Sequence, residues 1–260
     1  MVQTRHEFLA ELHRRLQPRT YLEIGVQHGY SLALAGPDTV TIGIDPEPCV
    51  SVDLSHRRSD NPVMLFRYRS DEFFRFAYPN GTEPPEQDED VTALAELRPT
   101  PSLQPRPVGL PPIDLAFIDG MHLFEYALRD FMNVERYCHG GSVVVFDDVL
   151  PRNQHEARRL EPGTPILGDW TGDVWKVKDV LSAFHTSPLL YWRLVDTQPT
   201  GLLVITGFPD MHRPWAVPEQ TLQAWSAEMS VPDDVINRVG AWNPERALDT
   251  IEQEIKTWRS

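Results

Sequence analysis

Two apolar runs in this chain end in acid. Ile113-Asp114-Leu115-Ala116-Phe117-Ile118 leads into Asp119-Gly120-Met121-His122, and Gly140-Gly141-Ser142-Val143-Val144-Val145-Phe146 leads into Asp147-Asp148. A helical pattern separates them. In a parallel sheet the C-terminal ends of neighbouring strands lie side by side. Asp119, Asp147 and Asp148 would then meet at one edge. Like charges so close repel one another unless a cation or shared protons hold them. A hard divalent ion is the simplest answer. Either acidic tip alone would be an ordinary turn signal; two tips side by side are what point to a metal.

A second constellation lies near the N-terminus, in Tyr21-Leu22-Glu23-Ile24-Gly25-Val26-Gln27-His28-Gly29. Gly25 and Gly29 permit a tight turn and close backbone approach to a ligand. Ser31 and Leu32 would begin the helix that follows. Asp45 ends the next strand, placed to accept hydrogen bonds from ribose hydroxyls. The G-x-G-x-x-G spacing of dinucleotide sites is missing, and Glu23 beside the turn would repel a pyrophosphate. A cationic ligand such as S-adenosylmethionine matches better. Taken singly, the glycines mark only a strand-turn-helix.

These motifs need a scaffold that presents strand ends together. Apolar runs at Thr20–Ile24, Thr41–Ile44, Met64–Tyr68, Asp114–Ile118 and Ser142–Phe146 alternate with helical patterns, which predicts a mostly parallel sheet. Tyr191–Val195 and Leu202–Thr206, joined by a short polar turn, predict an antiparallel pair. Thr4–Leu16 reads as an amphipathic helix with Phe8, Leu9, Leu12 and Leu16 on one face. Residues 78–112 hold nine of the 24 prolines and an acidic cluster; they read as a long insertion: a solvated linker, a lid over the site or a partner contact. After the last strand, Glu219–Met229, Asp233–Val239 and Pro244–Trp258 read as helices. The division is an N-terminal helix (1–18), a main domain (19–208) and a helical extension (209–260).

The net charge of −14 repels a phosphate backbone, so no nucleic-acid partner is expected. Cys49 and Cys138 make no disulfide framework and read as buried thiols. No apolar run reaches the roughly 18 residues of a membrane span. Charged residues stand where a signal peptide needs an apolar core. A cytoplasmic protein with no membrane association is expected.

Glu23-Ile24-Gly25-x-x-x-Gly29 with Asp45 resembles the class I S-adenosylmethionine-dependent methyltransferases. The segments Phe117-Ile118-Asp119-Gly120-x-His122 and Gly140-Gly141-x5-Asp147-Asp148 resemble their metal-dependent O-methyltransferase branch, nearest to the enzymes that methylate sugars of macrolides. The resemblance covers about residues 21–206. It implies a Rossmann-like α/β fold: a mostly parallel seven-stranded sheet, the last strand antiparallel, with helices on both faces. It implies S-adenosylmethionine at Glu23, Gly25, Gly29, Ser31 and Asp45, with Ser70 and Asp71 near the adenine and Asp119 bordering the donor. It implies Mg²⁺, or another hard divalent cation, on Asp119, Asp147 and Asp148. His122 becomes the catalytic base, since Met121 occupies the position where some members carry an acid.

The implied reaction is methyl transfer to a sugar hydroxyl of a small-molecule or oligosaccharide acceptor, such as a glycoside or a mannoside of a polysaccharide precursor. A divalent cation stabilises the alkoxide, and a neutral imidazole can take its proton. His155, Asp169, Trp170 and Asp173 lie where family members place acceptor-binding segments. Asp173 could equally cap a helix. A phenolic or natural-product acceptor, and a non-catalytic glycan-binding module on the same fold, stay open. The extra terminal helices suggest a homodimer.

Overall fold

Runs of β-branched and aromatic residues, each four or five long, make seven strands. They are β1 (Thr20–Ile24), β2 (Val40–Ile44), β3 (Val63–Phe66), β4 (Leu115–Ile118), β5 (Val143–Phe146), β6 (Tyr191–Val195) and β7 (Leu202–Thr206). They form one sheet in the order β3-β2-β1-β4-β5-β7-β6. The first five run parallel, and β7 is antiparallel to both β5 and β6. This computed structural model describes residues 2–54, 63–76, 110–160, 164–165, 168–209 and 215–260. The proline-rich insertion therefore lies outside the described residues except for 110–112.

The two faces of the sheet follow the period-2 alternation of side chains. Leu22, Ile24, Ile42, Ile44, Ala116, Ile118, Val144 and Phe146 face one layer. That layer holds α2 (Ser70–Phe76), α3 (Phe124–Val134), α4 (Val177–Phe184) and α5 (Glu219–Ala227). Tyr21, Leu115, Phe117, Val143, Val145 and Val204 face the other. It is covered by α1 (Arg5–Leu16) and α7 (Pro244–Arg259), with a single turn, α6 (Asp233–Ile236), ahead of α7. Phe8, Leu9, Leu12 and Leu16 of α1 are buried as the amphipathic pattern predicts.

Two local devices set where α1 begins and what it leans on. Thr4 caps the helix: its side chain accepts from the Glu7 amide, and Glu7 accepts from the Thr4 amide at 2.9 Å. This reciprocal box satisfies donors a helix start otherwise leaves open. The Arg5 amide donates to the Gln198 carbonyl at 3.1 Å, tying the helix start to the loop after β6. Farther along α1, Arg15 reaches Glu11 on its own helix and Asp249, Glu245 and Glu252 on α7. Because these helices bury their apolar faces within the chain, they supply no argument for a dimer.

Two expectations are corrected. The helix after the glycine turn is only a 3-10 turn, Leu32–Leu34. Gly36-Pro37 follows at once, and the residue before a proline is pushed out of the helical region. Cys138 is buried but Cys49 is exposed, on the loop that follows β2. Among the described residues no helix is long and apolar enough to cross a membrane.

Ile251 of α7 is fully buried against the sheet. Ile251→Ala should lower unfolding stability by roughly 2–5 kcal/mol, the range for a large-to-small core change. Urea unfolding followed by tryptophan fluorescence checks it; a loss below about 1 kcal/mol would mean that α7 adds little to the core.

Candidate active site at the strand tips

The register of the sheet decides which residues meet. Ile24 pairs with Ile44 and Ile118, and Ile118 pairs with Phe146. The next residue of each strand, Gly25, Asp45, Asp119 and Asp147, stands in one row at the carboxyl edge. Backbone hydrogen bonding continues through that row. The Gly25 amide donates to Ile44 at 2.9 Å, Asp119 to Ile24 at 2.8 Å, and Asp147 to Ile118 at 3.1 Å.

The glycine turn is pressed against the first acidic tip. Gly25 has φ +86°, and a Cβ there would lie 1.9 Å from the Asp119 carbonyl oxygen. Only glycine allows both the backbone sign and the approach. The expected donor cleft and the acid cluster therefore share a wall.

Glu23 and Ser31 are placed beneath this turn. Glu23 is fully buried and accepts hydrogen bonds from Tyr21 Oη and Ser31 Oγ, each at 2.7 Å. Both carboxylate oxygens are thus engaged from within, so Glu23 and Ser31 shape the turn from below and do not offer free groups to a ligand. Burial raises the Glu23 pKa to about 8, outweighing the two hydroxyl donors. Asp45 accepts from the amides of Gln27 and Glu47, both at 2.8 Å, and so holds the glycine loop to the end of β2. Ser70 donates to the buried Asp130, while Asp71 lies 4.0 Å from Arg129.

At the acid edge the three carboxylates do not form one symmetric set. Asp119, His122 and Asp148 can each place a ligand atom within 4.8 Å of the others. His122 Nε2 lies 3.4 Å from Asp119, and its Nδ1 lies 3.2 Å from Asp148 and 3.0 Å from the Trp170 carbonyl. Asp147 departs from the expected ligand set. It is 1% exposed, and Arg5 of α1 donates to it. The same guanidinium is 3.9 Å from Asp119. The layout is Arg5–Asp147, then Asp119, then His122–Asp148. Asp148 has φ +62°, a left-handed backbone that Asp tolerates better than most residues. This twist turns consecutive acids towards different partners.

Charge and burial act together here. Burial raises the pKa of Asp147, repulsion from Asp148 and Asp119 adds to it, and Arg5 opposes. Burial also raises that of Asp148, while His122 opposes. For His122, burial disfavours the cation, but Asp148 and Asp119 win and lift its pKa to about 9. The imidazolium and a metal ion are rivals for the same two carboxylates.

The segment after β5 closes this side of the site. Gly172 (φ +57°) is packed on His122: a Cβ there would lie 1.6 Å from the His122 carbonyl oxygen. Trp170 stacks on the His122 ring, centroids 5.0 Å apart, and its indole N–H donates to Arg158. Asp173, expected at the acceptor, is instead 2% exposed. It accepts from the Phe124 amide, capping α3, and from Arg159 and Lys176. Asp169 and His155 are exposed, Asp169 paired with Arg152.

Arg5 is the site residue that sequence reasoning missed. It is 142 positions from Asp147, and its neighbours carry only the signal of a helix start. The amphipathic helix from Thr4 was legible; that its capped start lies over the strand tips was not.

A family model described as a methyltransferase domain matches residues 22–149, from β1 through the Asp147-Asp148 tip, just under half of the chain. No curated protein matches. Several solved structures are similar. The O-methyltransferase TomG from Streptomyces achromogenes, involved in tomaymycin synthesis and in complex with SAM, is 20% identical, covers 78% of each chain and has a TM-score of 0.47. The O-methyltransferase from Bacillus cereus, in complex with SAH, is 16% identical, over 77% of this chain and 78% of that one, with a TM-score of 0.43. The SAH-bound methyltransferase PaMTH1 of Podospora anserina is 15% identical, over 78% and 77%, with a TM-score of 0.40. Residues 22–149 are similar to a methyltransferase domain, and the sheet that carries them is the Rossmann-like seven-stranded one with β7 antiparallel.

Glu23 supplies a pH test of the turn. Its folded pKa is raised to about 8, above the roughly 4.3 of an unfolded chain. The proton-bound form favours folding, so its contribution is complete below about pH 4 and is lost as pH rises towards 8. Glu23→Gln should remove that decline: the melting temperature of the wild type minus that of the variant falls between pH 5 and 8 and flattens above. A difference that stays constant over this range would show that Glu23 is already ionised in the native turn.

Proposed function

We propose that this chain is an S-adenosylmethionine-dependent O-methyltransferase that uses a hard divalent cation and methylates a sugar hydroxyl. One observation carries the reading: the Gly25 backbone lies against the Asp119 carbonyl, so a donor held at the glycine turn is beside the acid cluster. In this reading the partly exposed Asp45, at the end of β2, accepts from the ribose of that donor on the lone pairs its two amide contacts leave. The fit to a cation rests on the carboxylate oxygens of Asp119 and Asp148, which approach within 4.8 Å of each other with His122 beside them. Oxygen donors of this kind suit Mg²⁺ or Mn²⁺.

In this reading Asp119 and Asp148 hold the cation, and His122 handles the proton. Bound there, the ion lowers the cost of forming an alkoxide. The Trp170 carbonyl fixes the His122 ring through Nδ1, which leaves Nε2 as the atom that accepts the hydroxyl proton. A cation held by Asp119 and Asp148 would supply the positive charge these acids now draw from the imidazolium, which would favour neutral His122. The partly exposed Trp170 beside it offers a ring face against which a pyranose can stack, and Asp169 can bind hydroxyls at the rim. A vicinal diol is the expected handle, because two carboxylates leave positions for two substrate oxygens. A mannoside of a polysaccharide precursor is the narrower choice. The protein is taken to be cytosolic and to act on small acceptors in place of nucleic acid.

The direct test is transfer of a labelled methyl group from S-adenosylmethionine to a panel of glycosides, with a catechol included, with and without EDTA. Label on a glycoside that EDTA abolishes is the expected result. Label on the catechol alone would reassign the acceptor, and EDTA-resistant turnover would remove the cation.

Two variants divide the roles. Asp148→Asn should lower turnover at least a hundredfold while S-adenosylmethionine affinity by calorimetry stays within about threefold. His122→Gln should lower kcat by about 10²–10⁴, the usual range for losing a general base, with Mn²⁺ affinity changed only a few-fold. If His122→Gln instead loses Mn²⁺ binding, the histidine is a ligand and the base lies elsewhere.

A further inference from the structure

Arg5 lies against two of the three acids at the strand tips. Its guanidinium donates to Asp147, which is 1% exposed, and approaches Asp119 to 3.9 Å, while its own side chain is 30% exposed. This differs from a surface ion pair, because one partner is buried and the other is fixed at its backbone. Arg5 is the first residue of α1, the Thr4–Glu7 box sets the helix start, and the Arg5 amide is bonded to Gln198. The Asp148 amide donates to Asp147 Oδ1 at 2.9 Å, and Arg5 takes Asp147 Oδ2. Both oxygens of Asp147 are therefore engaged away from the Asp119–His122–Asp148 opening.

We propose that Arg5 is a resident cation that keeps Asp147 out of the metal set, leaving a single divalent position between Asp119, His122 and Asp148. Arg5 is a positioning residue in this scheme. It neutralises a carboxylate the opening does not use, and its charge weakens an ion that shares Asp119. Like charges a few ångströms apart in a partly buried site repel strongly. The acid cluster alone would draw divalent ions tightly; with Arg5 in place the affinity is moderated and the stoichiometry is one. The inference rests on the metal reading proposed above.

Mn²⁺ titration of the full chain by calorimetry, with unfolding curves for each variant, tests it. The wild type should bind one Mn²⁺. Arg5→Met, which removes the charge and frees Asp147, should bind at least tenfold more tightly or take up a second ion. Arg5→Lys should stay within about threefold of the wild type. Arg5→Met leaves a buried acid unpaired and is expected to be less stable, so a double variant is needed. Arg5→Met/Asp147→Asn removes both charges; it should fold and return to within about threefold of the wild-type affinity.

A single variant that binds no better than the wild type would overturn the inference. So would a double variant that loses tenfold or more, which would make Asp147 a ligand. Binding that appears only after Arg5 is removed would overturn it as well, because the wild type would then hold no divalent position. No Mn²⁺ binding in any of the four proteins would overturn the metal reading together with the inference, whereas equal binding in all four would overturn the inference alone.

Discussion

The constraint on which this structure turns is the backbone contact between the glycine turn after β1 and the tip of β4. Gly25 has no side chain, has positive φ, and rests on the carbonyl of Asp119. A single added methyl would force the two loops apart. The parallel register then carries the neighbouring tips, Asp45 on one side and Asp147 on the other, to the same level. Everything chemical about the site is arranged around that edge, because a parallel sheet covered on both faces leaves its strand ends as the place where polar groups can gather.

Gathering acids is unfavourable by itself. Among the described residues the three carboxylates at the tips meet the cations Arg5 and His122, so acids outnumber cations. Burial makes the imbalance more costly than it would be in water. Each acid has a particular answer. Asp147 has Arg5, Asp148 has His122, and Asp119 lies between both pairs. The opening in which acids outnumber cations lies directly beside the glycine turn.

The distal side of the site depends on charges that never touch it. Lys176 is completely buried and donates to Asp173 and to the carbonyls of Trp225 and Glu228. Asp173 also caps α3 and meets Arg159, which pairs with Glu125. Breaking such a buried set by removing one member leaves an uncompensated charge. Here the network docks the Trp170 segment onto the start of α3, and with it the carbonyl that orients His122. Asp173 reads in sequence as a sugar ligand or as the cap of the helix it precedes; its buried side chain does not cap that helix, but accepts from the Phe124 amide at the start of α3 and joins two cations.

Sequence by itself determined the sheet, its direction of travel and the identity of the acidic tips. Short β-branched runs between amphipathic segments allow few other arrangements, and β6 and β7 appear at their predicted bounds. The glycine turn was equally legible, because local backbone chemistry demands it. Sequence could not show which carboxylate pairs with which cation. Arg5, far along the chain, carries no local mark of its role; only the packing of α1 across the sheet brings its guanidinium to Asp147. Likewise Glu23 reads as a ligand-facing acid, yet Tyr21 and Ser31 close over it from below. Hydrophobic period and turn chemistry are written in neighbouring residues. Ion pairing among buried groups is decided by distances that only the folded chain creates.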